Sequence, residues 1–147
     1  MDASAVAASL KKIPYTAGLG IIIDHADSAE VQMTLPDASI SQNMLGIVHA
    51  GALYTFAETV AGVAAGFDHL DVAFPLARKA EIHYLRPARG AIRAHAKIDA
   101  ADSTRVAEEL ERDGRSELSV AVQLSDSSGQ IVAEAAVDYA FRSMQKQ

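Results

Sequence analysis

The chain has 147 residues, 50% hydrophobic and 22% charged, with 9 Gly and 4 Pro; this fits one domain with a core and excludes compositional disorder and collagen-like repeats. The absence of Cys removes thiol catalysis, disulfides, iron–sulfur clusters and thiolate zinc sites. A net charge of −6 argues against a broad nucleic-acid or anionic-lipid footprint. The start Met1-Asp2-Ala3-Ser4 lacks the basic, apolar opening of a secretory signal, so a cytoplasmic location is expected.

Residues 1–147 read as a single domain without repeat or linker. Ala3, Val6, Ala7, Leu10 and Ile13 recur at helical spacing up to Pro14, which predicts an N-terminal helix over 1–14 that covers the core. Ile21 and Ile23, then Val31, Met33 and Leu35, alternate around Asp27-Ser28 and predict a hairpin ending at Pro36. Residues 37–48 read as a loop.

From Ala50 to Phe67 the chain has no Pro and one charge, Glu58, with apolar residues on every side, which predicts a helix buried all round. Leu76, Ala80, Ile82 and Tyr84, then Ile92, Ala94, Ala96 and Ile98, alternate as two strands with apolar inner faces. The Pro and Gly in Arg86-Pro87-Ala88-Arg89-Gly90 between them predict a hairpin. A solvated surface helix is expected over 103–113, capped by Ser or Thr and ended by Asp113-Gly114. Two long strands complete the chain, Leu118 to Leu124 and Ile131 to Phe141, joined through Asp126-Ser127-Ser128-Gly129. The fold class is α+β: an antiparallel sheet of about five or six strands wrapped around one long central helix.

A carboxylate inside a nearly uncharged helix requires a reason, because an unpartnered buried acid costs several kcal/mol. At mid-bilayer it would be equally expensive, so the 50–67 run reads as a core helix and no membrane span is expected. For Glu58 the composition leaves two reasons open, an ion-pair partner such as Lys79 or Arg93, or service as general base or nucleophile at a cleft wall. His49-Ala50-Gly51 opens the same helix, where unpaired N–H groups and the helix dipole suit a carbonyl becoming an oxyanion. Eight residues of helix rise about 12 Å, so Glu58 does not reach its own helix start. If both serve one ester or thioester, they come from two copies of the chain across a two-fold interface.

The stretch from Asn43 through His49-Ala50-Gly51 to Glu58 resembles the core motif of hotdog-fold acyl-CoA thioesterases, in particular the PaaI-like branch. Residues 75–90 are similar to that branch's second strand and turn, and the element order matches from about residue 15 to 142. The resemblance implies a homodimer with joined sheets, often a dimer of dimers, and two active sites at each dimer interface. It implies Glu58 as the catalytic carboxylate, Ala50 as the backbone donor to the thioester oxygen, Asn43 as a positioner of water or carbonyl, and His49 and Gly51 as shapers of the helix start. Many relatives have two glycines after the His, where this chain has Ala50-Gly51, and many have Asp where it has Glu58. The longer arm fits either direct attack or base activation of water.

Segment 78–97 holds six basic residues against Glu81 alone, and coenzyme A carries phosphates that Arg or Lys recognise. Arg86 and Arg89, with Lys79 and His83, are the candidate substrate-binding residues, against the alternative that they are solvated strand faces. Coenzyme A is part of the substrate, and no separate cofactor is implied. His25, His69, His83 and His95 show no metal-ligand spacing, so no metal is expected. Met44, Tyr54 and Phe56 are either contacts for an acyl group or core. Acyl-CoA hydrolysis leads; a hydroxyacyl-thioester dehydratase and a non-catalytic acyl-CoA-binding module are the alternatives.

Overall fold

Our computed structural model describes residues 2–144; of the expected domain, Met1 and residues 145–147 lie outside the described residues. Helix α1 spans Ala3–Lys11, its start capped by the Asp2 carboxylate, which accepts from the Ala5 N–H at 2.8 Å. The predicted single helix over 1–14 is two helices, because Pro14 does not merely stop the first but opens α2, Pro14–Gly18. A proline's fixed φ and missing N–H suit that first position.

Strands β1 (Ile22–Ala26) and β2 (Glu30–Leu35) form the predicted hairpin. Asp27 makes its turn by accepting the N–H groups of Ala29 and Glu30, and these bonds hold its carboxyl below the ordinary carboxylate range. Loop 37–48 contains one short 3-10 turn, Ser39–Ser41, and leads into the central helix α3, Ala50–Gly66. Then come β3 (Ala73–Tyr84), β4 (Ile92–Lys97), α4 (Ala100–Asp113), β5 (Arg115–Ser125) and β6 (Ile131–Ser143). The surface helix begins earlier than expected, with Asp99 at the N-cap position, so Ser103 and Thr104 lie inside it. Gly114 ends it at φ 69° as its sequence position requires.

All strands pair antiparallel in the order β1-β2-β4-β5-β6-β3. The expected hairpin between β3 and β4 does not form: β3 pairs with β6 at one edge, and β4 lies between β2 and β5. Gly90, at φ 69°, does turn the chain, but Pro and Gly mark where a turn falls and not which strands then pair. Residues 85–91 are a crossover, tied to β6 through Leu85 N–H to Val132 O and to the α3 entrance through Val48 N–H to Ala88 O, both 2.8 Å.

The sheet's inner face, with Val31, Met33, Leu35, Ile92, Val120, Val122 and Leu124 buried, closes on Phe56, Val60 and Ala61 of α3. Strand β3 departs from its expected apolar face, since Leu76 is 55% exposed and Tyr84 is also open. It is the long edge strand, interrupted by a bulge between Ala77 and Lys79, and no neighbouring strand covers its outer edge among the described residues. Helix α3 is not buried all round. A stripe at spacings of three and four, through Gly51, Tyr54, Thr55, Glu58 and Gly62, stays open or half-open. Small and hydroxyl-bearing residues with one acid carry that stripe, so hydrophobicity alone does not reveal it.

Candidate active site

Helix α3 lines two cavities, one at its start through Ala50 and Leu53 and another along the open stripe through Tyr54, Thr55, Glu58 and Gly62. At the helix start the His49 ring folds back and its Nδ1 accepts the Gly51 N–H at 2.8 Å, while the His49 carbonyl accepts from Ala52 and Leu53. His49 is therefore the N-cap residue, and its Nδ1 lone pair is occupied. The Ala50 N–H takes no partner among the described residues, which leaves one donor aimed out of the helix N-terminus. Gly51 leaves room for the ring: a Cβ there would lie 3.0 Å from His49 Nδ1. Replacing His49 by Ala should lower unfolding free energy by about 1 kcal/mol, with His49→Asn restoring most of it; denaturant midpoints check both.

Asn43 sits beside this entrance. Its Oδ1 accepts the Leu45 N–H at 2.9 Å and its carbonyl accepts from Gly46, so the side chain is fixed by its own loop. From β3 the Tyr84 hydroxyl donates to the Ala50 carbonyl at 3.0 Å and pins the helix start to the sheet edge. Burial raises the Tyr84 pKa and keeps this donor protonated. Asn43, Ala50, Tyr84 and Arg86 line one cavity of about 310 Å³.

Glu58 lies in another. It lines a cavity of about 660 Å³ together with Tyr15, Tyr54, Thr55 and Val63, between α3 and the N-terminal helices. Its carboxylate meets neither Lys79 nor Arg93, the partners considered from sequence. Instead Tyr139 of β6 donates its hydroxyl to Glu58 Oε1 and to the Glu58 carbonyl, each at 3.1 Å. Burial, reinforced by the adjacent Glu58 charge, pushes the Tyr139 phenol far above its ordinary range, so it remains a donor. Gly62 leaves room for this contact: a Cβ there would sit 3.2 Å from the Tyr139 oxygen. Sequence reasoning placed Tyr139 in the strand core and missed this role. The available signal was a hydroxyl on an otherwise apolar strand face, because a buried phenol requires a partner.

The other candidates separate. Arg86 stands at the helix-start cavity, its guanidinium 3.4 Å from the Ile131 carbonyl. Arg89 is exposed and has no partner among the described residues. Lys79 and His83 both flank Glu81 on the outer side of β3, at 3.6 and 3.0 Å, and line neither of these two cavities; His83 lines a separate one with Glu81 and Glu134. Of the three residues near the motif, Phe56 is fully buried core, Met44 is 97% exposed and Tyr54 lines the Glu58 cavity. His25, His83 and His95 pair with carboxylates, and His69 is buried edge-on to Phe141, where desolvation lowers its pKa. Among the described residues no metal-binding group of three such side chains forms, and no helix is long and apolar enough to cross a membrane.

A six-stranded antiparallel sheet closed on one long helix is the hotdog fold, shared with thioesterase-like proteins. The chain belongs to the DUF4442 family, a domain of unknown function, which it matches over residues 3–140. It is similar to the solved structure of Pseudomonas aeruginosa PA5026, a protein of unknown function described as a probable thioesterase, at 29% identity, 97% coverage of each chain and TM-score 0.87. The fold also matches a mutant form of the P. aeruginosa thioesterase PA1618, at 20% identity, 98% and 96% coverage and TM-score 0.80. It matches the Haemophilus influenzae thioesterase HI1161 at 16% identity, 95% and 90% coverage and TM-score 0.77. No curated protein matches the sequence.

Proposed function

We propose that the protein is an acyl-CoA thioesterase whose active site is assembled from two copies of the chain. The observation that carries this reading is the division of one helix between two cavities: an unpaired Ala50 N–H beside Asn43 in the first, and a tyrosine-held Glu58 in the second. About 12 Å of helix separates them. A second protomer related by a two-fold axis brings the first cavity of one chain against the second of the other. The exposed edge of β3, with its row of unpaired backbone groups, offers the strand by which two sheets join.

In the assembled site the thioester oxygen accepts from Ala50 N–H, which stabilises the oxyanion as the carbonyl carbon becomes tetrahedral. Glu58 from the other protomer either takes a proton from the attacking water or attacks the carbonyl carbon itself. The carbon–sulfur bond then breaks: after water attack the coenzyme A thiolate takes the proton Glu58 removed, and after direct attack water hydrolyses the acyl–Glu58 anhydride, which frees the acid and Glu58 and supplies the thiolate's proton. Tyr139 acts as a positioning residue, because its donation to Oε1 fixes the carboxylate and leaves Oε2 for the reaction. Arg86 lines the helix-start cavity, and in this reading its guanidinium meets a coenzyme A phosphate. The dehydratase alternative wants a His free to take a proton, and with Nδ1 accepting from Gly51 the His49 ring carries its N–H on Nε2, a donor and not a base.

Release of free thiol from a panel of aliphatic and aromatic acyl-CoAs tests the reading, with no release by the native protein counting against it. Tyr139→Phe keeps the ring in the core but removes the donor. Its kcat should fall about tenfold, the worth of one hydrogen bond to a charged group, with KM little changed. A parallel rise in KM would argue against pure positioning.

A further inference from the structure

The cavity beside Glu58 is roofed by the N-terminal helices, and its lining has a marked chemistry. Val6 and Leu10 of α1, with Val63 and Leu70, supply aliphatic walls, and the hydroxyls of Thr55 and Thr59 lie between them. Glu58 is the one acidic side chain among its described lining residues, and no Lys, Arg or His is among them. A charged group entering this space would be desolvated without a counterion. The phosphates of coenzyme A therefore stay outside, and the occupant is the uncharged end of the substrate.

The roof is built by local structure. Thr16 donates to the carbonyls of Leu10 and Ile13, which folds α2 back against α1. The Tyr15 and Thr55 hydroxyls then meet at 3.2 Å and tie α2 to α3. The space runs along α3 from Tyr54 to Val63 and on to Leu70, and nine helical residues rise about 13 Å. From Glu58 to Val63 the rise is about 7.5 Å, which an extended carbon chain covers in about six carbons at the zigzag advance of single C–C bonds. Shorter acyl groups leave the aliphatic wall wet, whereas longer ones continue toward Leu70.

We propose that the cavity beneath α1 and α2 binds the acyl chain and selects straight aliphatic acyl groups of about six to twelve carbons, the helix pair forming the selecting wall. This rests on the thioesterase reading.

The test measures kcat/KM of the full chain for butanoyl-, hexanoyl-, octanoyl-, decanoyl- and phenylacetyl-CoA. Values should rise roughly fourfold per methylene through octanoyl, the transfer worth of each CH₂, and octanoyl should exceed phenylacetyl. Val63→Phe should lower the decanoyl value at least about tenfold while sparing butanoyl, and Leu10→Ala should move the optimum to longer chains. Equal values across chain lengths, or equal losses for all substrates in Val63→Phe, would overturn the assignment. So would a changed oligomeric state of Val63→Phe with an unchanged chain-length profile, which would make the cavity a contact between copies. Titration of the Glu58→Ala protein with octanoyl-CoA and with coenzyme A separates the two readings. Tighter binding of octanoyl-CoA with no hydrolysis by native protein would keep the acyl cavity and discard the thioesterase; equal binding with hydrolysis intact would do the reverse.

Discussion

Glu58→Ala is expected to lower kcat for thioester hydrolysis about a thousandfold, within the range general bases supply, while the protein stays folded. The fold should survive because the Tyr139 hydroxyl keeps its second acceptor, the Glu58 carbonyl at 3.1 Å. The side chain itself is half-buried at a cavity wall, not packed in the core. Glu58→Gln sharpens the result. It preserves volume and an oxygen for Tyr139 but has no basic oxygen to take a proton or attack a carbonyl, so its activity should be as low as that of Glu58→Ala. Thiol release measures both, and a circular dichroism melt checks the fold. Substantial activity in either variant would remove Glu58 from the chemistry.

Mixing two inactive variants is expected to restore activity. Asn43 and Ala50 line the smaller cavity and Glu58 the larger, on opposite stretches of one helix and its entrance. If each site takes its amide and Asn43 from one protomer and its carboxylate from the other, a heterodimer of Asn43→Ala and Glu58→Ala subunits has one intact site and one doubly damaged. Random reassociation of equal amounts makes half the dimers hetero, so recovery should approach about a quarter of native activity. No recovery after verified subunit exchange would place both groups in one protomer's site, against the geometry of a rise of about 12 Å. Wild-type-like activity of Asn43→Ala alone would instead show that the loop asparagine is dispensable.

Much of the scaffold is legible in the sequence because its signals are local. The alternation tracks burial residue by residue in β5, and in β6 from Ala133 to Tyr139, with Val132 and Ala140 buried out of step at its two ends, since period 2 maps directly onto the two faces of a sheet. The Asp27 turn, the αL glycine after α4 and the start of α3 at Ala50 arise from single residues with strong backbone preferences. Pro14 and the 86–90 turn mislead for the same reason: each punctuates the chain, but the element beyond it depends on contacts made elsewhere. Strand β3 finds its partner in β6, more than 45 residues on, and no local pattern announces that pairing.

The sequence by itself determined most elements of the fold, the lone carboxylate on an apolar helix, and the separation of that carboxylate from the helix start, because propensity, periodicity and helical rise are properties of neighbouring residues. Only the tertiary structure decided what surrounds those groups. It gave Glu58 a tyrosine from β6 in place of a lysine or arginine, opened one stripe of α3, and folded α1 and α2 into the roof of a cavity about 660 Å³ in volume. It also set Lys79 and His83 apart from Arg86. Side chains distant in sequence meet only when the sheet has curled and the helices have packed, and the environment of a functional group is made of such meetings.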